Sequence, residues 1–518
     1  MTSPSASALE STIAAFAVAI DQCIALGEFA AGRQLVGEGL ALAPSHPAIL
    51  IRRARLLAID ADFAAAADDL RSAVRSEPTN ARAWFDLGRA AARLRGWPEA
   101  VAAFETSLKL AGPRVEVLAD LAHARANGGD RPGAITVFRA ALDLKPDQPA
   151  LWNDLGGQLM AVERYDEASA AFRAAAAPAN LAVAEAWRGD VDASIAAHRT
   201  RHDAAGRQAL GASLLSFGRL GEGWPVYRNR LSNPAHRGWH RGIPKPLFAG
   251  DSLSGQKLLI WSDQGLGDQI LTAGLLREAA AAAANIVFGC EPRLLSLMQR
   301  SFPDIRCVPI TDIHLGSVDL SDVEAHASIS EIGAILRPGM ASFPRHAGYL
   351  RADPSRVSEL KSRYRSLPGQ GPIVGISWRS VHDLAGADKS IALTDWRPIL
   401  SIPGVRFVSL QYGAVPEVTS NVFVDSTVDA VADIDGFAAQ VAAMDQVVSV
   451  SNTTVHMAGA LGIPTLCLTP KVEGRPWYWF AGQDISSWYP TVRHVWQTRR
   501  RQWDDVIERA ARMFTVSH

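Results

Sequence analysis

The 518-residue sequence is poor in cysteine: Cys23, Cys290, Cys307 and Cys467 lie far apart, with no C-x-x-C pair. That scatter argues against a disulfide framework or a zinc site and fits a reducing, cytoplasmic setting. It also lacks charge of one sign, since 52 Lys+Arg stand against 53 Asp+Glu for a net charge of −1. No basic field therefore points to nucleic acid or to an anionic membrane surface. By eye no apolar run approaches the roughly 18 residues of a membrane span. The start, Met1 to Glu10, has no basic n-region, and an amphipathic helical pattern follows it, so no secretory signal is expected. What is there is 48% hydrophobic and 20% charged, the balance of a globular chain. The length exceeds what one core serves, so two or more domains are expected.

The first part is periodic. Leu87, Leu121 and Leu155 are 34 residues apart, and Trp84, Leu118 and Trp152 keep the same step. So do Ala100, Ala134 and Ala168, and Phe104, Phe138 and Phe172; Gly88, Ala122 and Gly156 are the small residues after each leucine. Pro78 and Pro146 close two units at equivalent positions. This is the tetratricopeptide pattern: paired helices, small residues where they cross and large ones between units, with several units stacked because none buries its apolar face alone. About five units are expected from residue 13 to 182. A degenerate pair should then reach about 230, with Ala193 to His198 as a shortened second helix. Such an array makes a concave groove suited to a protein segment.

From about Pro244 the texture changes to apolar strands alternating with helices. Strands are expected at Lys257–Trp261, Asn285–Cys290, Pro372–Trp378, Arg406–Gln411, Gln446–Ser451 and Thr465–Thr469. Helices are expected at Gln269–Ala284, Arg293–Ser301 and Gly436–Met444. That alternation implies parallel sheets covered on both faces. A polar, proline-containing break at Arg351–Gly371 divides it into two Rossmann-like lobes with a cleft between them. The expected boundaries are 1–230 for the repeats, 231–365 and 366–495 for the lobes, and 496–518 for a final helix returning to the first lobe.

Three strand-to-helix junctions carry the candidate chemistry. In Trp261-Ser-Asp-Gln-Gly-Leu-Gly-Asp-Gln269, Gly265 and Gly267 let a ligand approach the backbone at a helix start. Asp268 there is either a general base or the helix N-cap, the local pattern favouring the cap, and Asp263 is a second candidate base. In Val448-Ser-Val-Ser-Asn-Thr-Thr-Val-His456, the residues Ser451, Asn452, Thr453 and Thr454 offer hydroxyls and helix N–H groups to a phosphate. His456 would join them, although a histidine on its own in a first helical turn is more often packed and hydrogen-bonded. In Ser377-Trp-Arg-Ser380 and Lys389-Ser390, Arg379 and Lys389 suit a phosphate or form a solvated pair, with Trp378 and Ser390 beside them. The loop Val381–Asp388 between them is a candidate flap. Trp477, Tyr478, Trp479, Phe480, Trp488 and Tyr489 either stack on a ligand or glue the lobes together. Asp433-Ile-Asp435 mimics a metal motif but reads better as an N-cap, and Arg499-Arg-Arg501 as a solvated face.

Six stretches together resemble a family. They are Gly221–Tyr227, Asp263–Asp268, Val374–Trp378, Phe407–Gln411, His456–Gly462 and Ser487–Pro490. In order and spacing they are similar to tetratricopeptide repeats fused to a two-lobed GT-B glycosyltransferase, and most of all to the members that modify bacterial flagellin with a nonulosonic acid such as pseudaminic acid. The second half is also similar to the lipopolysaccharide heptosyltransferases. The resemblance implies an α-solenoid followed by an α/β GT-B fold. It also implies transfer of a sugar from a nucleotide sugar, CMP-linked by this likeness, to Ser or Thr of a protein acceptor, flagellin. Asp268 takes the place of the family's base and Lys389 that of the lysine on the donor phosphate. Gly265, Gly267, Trp378, Arg379, Ser390, Ser451, Asn452, Thr453, Thr454 and His456 are placed around the donor. The likeness implies no metal and no cofactor beyond the nucleotide-sugar substrate, and inversion if attack is a single displacement. The heptosyltransferases' Asp-Thr turn reads Ser451-Asn452 here, which removes a carboxylate. Protein O-GlcNAc transferase shares the plan, but its motifs are not evident here. A glycan-building transferase and a non-catalytic scaffold are the alternatives.

Overall fold

The computed structural model describes residues 6–232, 242–262, 265–381, 386–413 and 421–516. The chain divides into two compact units, Met1–Ala184 and Glu185–His518.

Among the described residues the first unit holds five helical hairpins. They are Ala6–Leu26 with Phe29–Leu42, Pro47–Ile59 with Phe63–Ser76, Ala81–Arg93 with Trp97–Ala111, Val115–Asn127 with Arg131–Leu144, and Pro149–Ala161 with Tyr165–Ala174. The 34-residue periodicity has a direct structural meaning. Trp84 Nε1 donates to the Pro78 carbonyl at 2.8 Å, and two repeats later Trp152 Nε1 donates to the Pro146 carbonyl at 2.8 Å. A Cβ on Gly88 would fall 2.5 Å from the Phe104 ring, and one on Gly156 2.5 Å from the Phe172 ring, so these positions stay small where helices cross.

The first helix corrects one expectation. Ser7–Leu26 spans 20 residues at mean hydropathy 1.5, long and apolar enough by length and composition to cross a membrane. Glu10 and Asp21 break the run by eye without lowering its average enough. Ile13 and Ile20 of this helix cluster with Val36, Ile49 and Leu56 of the neighbouring helices.

A sixth hairpin, Pro178–Arg188 with Val191–Arg199, straddles the division at Ala184, and a seventh, Ala204–Ser216 with Leu220–Tyr227, lies within the second unit. The repeat boundary expected at 230 therefore differs from the division at Ala184. The reason is packing. Trp224 is buried, its Nε1 donates to the Arg337 carbonyl at 2.8 Å, and its ring lies 5.3 Å from that of Trp477. A Cβ on Gly333 would sit 2.7 Å from the same indole. The last hairpin belongs to the core beneath the sheets.

Two all-parallel sheets follow. The first has the order β3-β2-β1-β4, with β1 Lys257–Trp261, β2 Asn285–Cys290, β3 Arg306–Pro309 and β4 Ala325–Ala327. The second has the order β10-β9-β8-β5-β6-β7, with β5 Ile373–Ser377, β6 Arg406–Ser409, β7 Val422–Phe423, β8 Gln446–Val450, β9 Thr465–Thr469 and β10 Val492–Trp496. Every residue of β5 and β9 is buried, as parallel strands covered on both faces require. Strand order reverses between β1 and β4 in one sheet and between β5 and β8 in the other. These are the switch points where such sheets open a crevice at their carboxyl ends.

Two further expectations are corrected. The helix expected over Gln269–Ala284 is two helices, Leu266–Ala273 and Leu276–Ala282. The Tyr349 hydroxyl donates to the Ile270 carbonyl at 2.7 Å, and its ring presses on Gly274, where a Cβ would lie 2.9 Å away. A side chain takes the acceptor that the next helical turn would use. The last helix, Asp504–Val516, packs through its described side chains on the second sheet rather than on the first lobe. Its apolar stripe Val506, Ile507 and Ala510 packs in one cluster with Leu466, Leu468 and Val495 of β9 and β10. The short link after β10 keeps it on its own sheet.

Candidate functional site

The β1 turn leads into the Leu266–Ala273 helix, whose N-cap is Gly265, without a side-chain cap. Asp268 is the third residue of that helix, and the N-cap position belongs to Gly265. Asp268 is half-buried, and a Cβ on Gly265 would lie 3.6 Å from its Oδ2. Asp263 lies outside the described residues.

From the second sheet, β8 runs into the Thr453–Leu461 helix. Asn452 caps it, its Oδ1 accepting from the Thr454 N–H at 3.0 Å. The Asn452 amide also donates to Ser377 Oγ at 2.7 Å and to the Arg379 carbonyl at 3.1 Å, tying the β8 turn to the β5 turn across the switch point. Gln411, just past β6, locks the same turn. Its Oε1 accepts from the Trp378 and Arg379 N–H groups at 3.1 and 2.8 Å. The Tyr412 hydroxyl shares hydrogen bonds with the side chains of Ser380 and Thr453, and burial raises its pKa.

The two junctions meet at one place. A Cβ on Gly267 would lie 2.7 Å from Cδ2 of His456, so the Asp268-bearing helix rests directly on the imidazole and only glycine admits it. His456 is buried. Its Nδ1 lies 2.9 Å from the Tyr489 hydroxyl and its Nε2 3.0 Å from the Tyr478 hydroxyl, and its ring stacks on Trp479 at 5.3 Å. Burial, with the nearby Lys389 charge, lowers its pKa to about 3, so the ring is neutral. One ring nitrogen then donates to one tyrosine while the other accepts from its partner. Trp479 Nε1 donates to Ser451 Oγ at 2.7 Å.

Lys389 is 8% exposed. Burial lowers its pKa and the Asp268 carboxylate pulls it back up. The same Asp268 charge reaches the buried Tyr478 and Tyr489 hydroxyls, whose pKa values burial lifts well above the ordinary value. A half-buried carboxylate and a buried ammonium thus lie near one another beside a helix N-terminus, in buried surroundings that strengthen each interaction. Beside it, at the carboxyl ends of β6 and β7, a cavity of about 490 Å³ opens between Gln411, Tyr412, Asp425, Ser426 and Gln440.

No family model matches the sequence. The chain is 31% identical over 488 residues to Protein FlbA of Caulobacter vibrioides, covering 87% of this chain and 81% of that protein. The chain belongs to the FlbA family. Among solved structures, the crystal structure of MamA matches at 19% identity and TM-score 0.29, over 30% of this chain and 91% of that one. YrrB, titled a TPR protein with an unusual peptide-binding site, matches at 18% identity and TM-score 0.29, over 32% and 93%.

In this FlbA-family chain the residues singled out from sequence divide in two. Asp268, Gly265, Gly267 and Lys389 lie together where the two junctions meet, with Arg379 and Thr453 beside Tyr412 on the second sheet's side, while His456 is buried beneath Gly267 with both ring nitrogens engaged. Trp378 is buried with Ile376, Ile391 and Trp396 in the core behind these residues. Ser390 Oγ is engaged with Ser380 N–H at 3.0 Å and the Gly386 carbonyl at 2.7 Å, where it shapes the loop. Ser451, Asn452 and Thr454 are buried and hydrogen-bonded within the fold. The candidate flap includes residues 382–385, which lie outside the described residues.

The late aromatics are buried, their rings packing on one another and, through Trp477, on Trp224 and Tyr227. Asp433 caps the Ile434–Ala442 helix, accepting from Gly436 N–H at 2.8 Å, and Asp435 pairs with Arg300 at 2.6 Å. Among the described residues no cluster of three His, Cys, Asp or Glu is placed to hold a metal. Arg500 is no solvated residue: its Nε donates to Glu473 at 2.5 Å. Sequence reasoning missed Gln411 and Tyr412 as site residues and did not pair Tyr478 and Tyr489 with His456. Gln411-Tyr412 at the carboxyl end of an expected strand was the available signal.

Proposed function

We propose that this FlbA-family protein is a protein O-glycosyltransferase with a GT-B arrangement of its two sheets. The observation that carries the reading is the seating of Gly267 on His456. It brings the carboxylate of one switch point near the Lys389 ammonium and the helix start of the other. The donor nucleotide sugar lies at the second sheet, its phosphates near Thr453 and its nucleoside toward the cavity beside Tyr412. Asp268 takes the proton of the acceptor hydroxyl as that oxygen bonds to the anomeric carbon. The sugar–phosphate bond breaks, its electron pair stays on the phosphate oxygen, and Lys389 and Arg379 neutralise the charge that develops. A single displacement inverts the anomeric centre. The helical hairpins hold the acceptor protein, so that binding energy spent there positions the Ser or Thr hydroxyl. Flagellin is the acceptor and a CMP-linked nonulosonic acid the donor in this reading, with the FlbA relationship in keeping with a flagellum-associated role. The reaction then runs in the cytoplasm.

One observation favours a second reading, a scaffold with a silent lobe. Asn452 stands where the heptosyltransferases carry a carboxylate, and its amide is satisfied within the fold. A thermal-shift panel of CMP, UDP, GDP and ADP separates the two. The transferase reading expects one nucleotide to stabilise the chain saturably, and a flat response to all four selects the scaffold. Glycosylation of purified flagellin then separates a protein acceptor from a glycan acceptor.

A further inference from the structure

At the carboxyl ends of β9 and β10 a second pocket, of about 340 Å³, opens on the side away from β6 and β7. One wall comes from the helical hairpins of the second unit, including Gly189 and Phe217, and the other from Lys471, Val472, Arg475 and Trp496. Lys471 and Arg475 are the two charged residues of its lining, and both are positive. Lys471 Nζ donates to the Trp187 carbonyl at 3.4 Å and lies 5.1 Å from the centre of that indole. Arg475 Nη2 donates to Ser216 Oγ at 3.1 Å and lies 5.2 Å from the Phe217 ring centre.

Neither cation has a carboxylate partner among the described residues. Glu473, between them in sequence, is already engaged: its Oε1 accepts from Arg500 Nε at 2.5 Å and its Oε2 from Trp187 Nε1 at 2.5 Å. Burial lowers the Lys471 pKa, and Arg475 beside it lowers it further. Burial takes Arg475 down to about 10. Two like charges drawn partly out of water, with apolar rings on either side, oppose folding unless an anion joins them.

We infer that this pocket binds an oxyanion on a small apolar body, a carboxylate or phosphate group held between Lys471 and Arg475 with its carbon body against Phe217 and Trp496. The volume exceeds what bare phosphate fills and suits a group the size of an amino-acid side chain. The pocket shares the carboxyl edge of the second sheet with the β8 turn. β9 is the immediate neighbour of β8 and β10 the next strand, so the offset is ~5–10 Å. An acidic side chain of an acceptor protein and a free small phosphate both carry this chemistry. The acceptor source rests on the transferase reading, whereas the oxyanion site does not.

The test uses the full chain at constant ionic strength, read by thermal unfolding and tryptophan fluorescence. The probes are inorganic phosphate, a capped Glu-Leu-Glu peptide and its Gln-Leu-Gln counterpart. Phosphate and the Glu peptide are expected to act saturably and the Gln peptide to do nothing. The Lys471→Gln/Arg475→Gln variant should lose at least tenfold in affinity for both. Tenfold tighter binding of the Glu peptide than of phosphate assigns the source to an acceptor chain, and the reverse order assigns it to a small phosphate. Replacing both cations breaks no ion pair among the described residues and costs the fold only their hydrogen bonds to the Trp187 carbonyl and Ser216 Oγ and their ring contacts. Should the double variant fail to fold, Lys471→Met alone lowers the response and Lys471→Arg keeps it. No saturable response, or an unchanged one in the variants, overturns the inference. The nucleotide panel on the same double variant keeps the two ideas apart. A lost oxyanion response with an intact nucleotide shift supports both, and a phosphate response abolished by the variants in a chain that ignores all nucleotides leaves this pocket standing without the transferase.

Discussion

Asn452 Nδ2 lies 2.7 Å from Ser377 Oγ, and that hydrogen bond joins the turns after β8 and β5 where the second sheet's strand order reverses. The same side chain caps the Thr453–Leu461 helix through its other amide atom, so one residue sets both the helix start and the width of the crevice.

Asn452→Ala removes a cap and two donated hydrogen bonds, one of them to the Arg379 carbonyl. A lost cap costs ~1 kcal/mol. Leaving buried acceptors without donors costs ~1–3 kcal/mol more. We expect a loss of about 2–4 kcal/mol in chemical denaturation of the second unit. Asn452→Asp keeps the cap and a partner for the Ser377 hydroxyl but sets a carboxylate oxygen against the Arg379 carbonyl, and should lose less than Ala. An Ala variant within ~0.5 kcal/mol of the parent would remove Asn452 from this structural role.

Asp268→Asn keeps the size and shape of the side chain at the third position of the Leu266–Ala273 helix, whose N-cap residue is Gly265. Its backbone carbonyl still accepts from the Thr272 hydroxyl at 2.8 Å. Nucleotide binding should survive, while turnover on an acceptor falls by ~10²–10⁴, the usual worth of a general base. Steady-state transfer assays alongside nucleotide titration measure both. Unchanged turnover would sink the base assignment while leaving the fold untouched.

The sequence made the long apolar strands legible. Lys257–Trp261, Asn285–Cys290 and Thr465–Thr469 read as five- and six-residue runs between turn residues and are strands with those limits. β4 and β7 were not legible, since three and two residues carry no periodic signal. β10 was hidden by Arg493 and His494. Arg493 is exposed, while His494 turns inward and its Nδ1 lies 2.8 Å from the Thr469 hydroxyl, a pairing that no local pattern encodes. The site was legible as three junctions, because glycines, hydroxyls and a strand's end mark such turns. How the residues divide between lining the crevice and building it was not legible. Asn452, Ser451 and His456 are polar residues whose partners come from 22 to 75 positions away.

Two buried imidazoles give the stability a pH signature. Burial lowers the pKa of His456 and of His494 to about 3 from the usual value of 6.5. Between those values the unfolded chain binds protons that the folded chain refuses. Stability is fully present above pH 6.5 and is lost as pH falls toward 3, each histidine contributing a slope of up to ~1.4 kcal/mol per pH unit. Denaturant midpoints between pH 7.5 and 5 should fall, ahead of most carboxylate titration. His494→Gln should remove about one proton from the slope. An identical slope in that variant would show that His494 titrates alike in both states.

The division of the chain at Ala184, rather than near 230, makes a prediction about truncation. A fragment starting at residue 231 lacks Trp224, Tyr227 and Arg230. Trp224 and Tyr227 both pack on Trp477, each with ring centres 5.3 Å away. Arg230 is fully buried and donates to Ser330 Oγ and Ser328 Oγ at 3.0 and 3.1 Å. Losing a buried tryptophan alone costs ~3–5 kcal/mol, against a total stability of ~5–15 kcal/mol. The fragment 231–518 should therefore aggregate or unfold without cooperativity. The fragment 185–518 keeps all three residues and should unfold in a single sharp transition. It should also keep any nucleotide response of the full chain while losing transfer to a protein acceptor, because five hairpins are gone and the crevice is not. Circular dichroism melts of the two fragments decide the first point, since equal cooperative melts would place the true boundary at 230. Transfer assays with 185–518 decide the second, and full activity on the protein acceptor would take the docking role away from the first five hairpins.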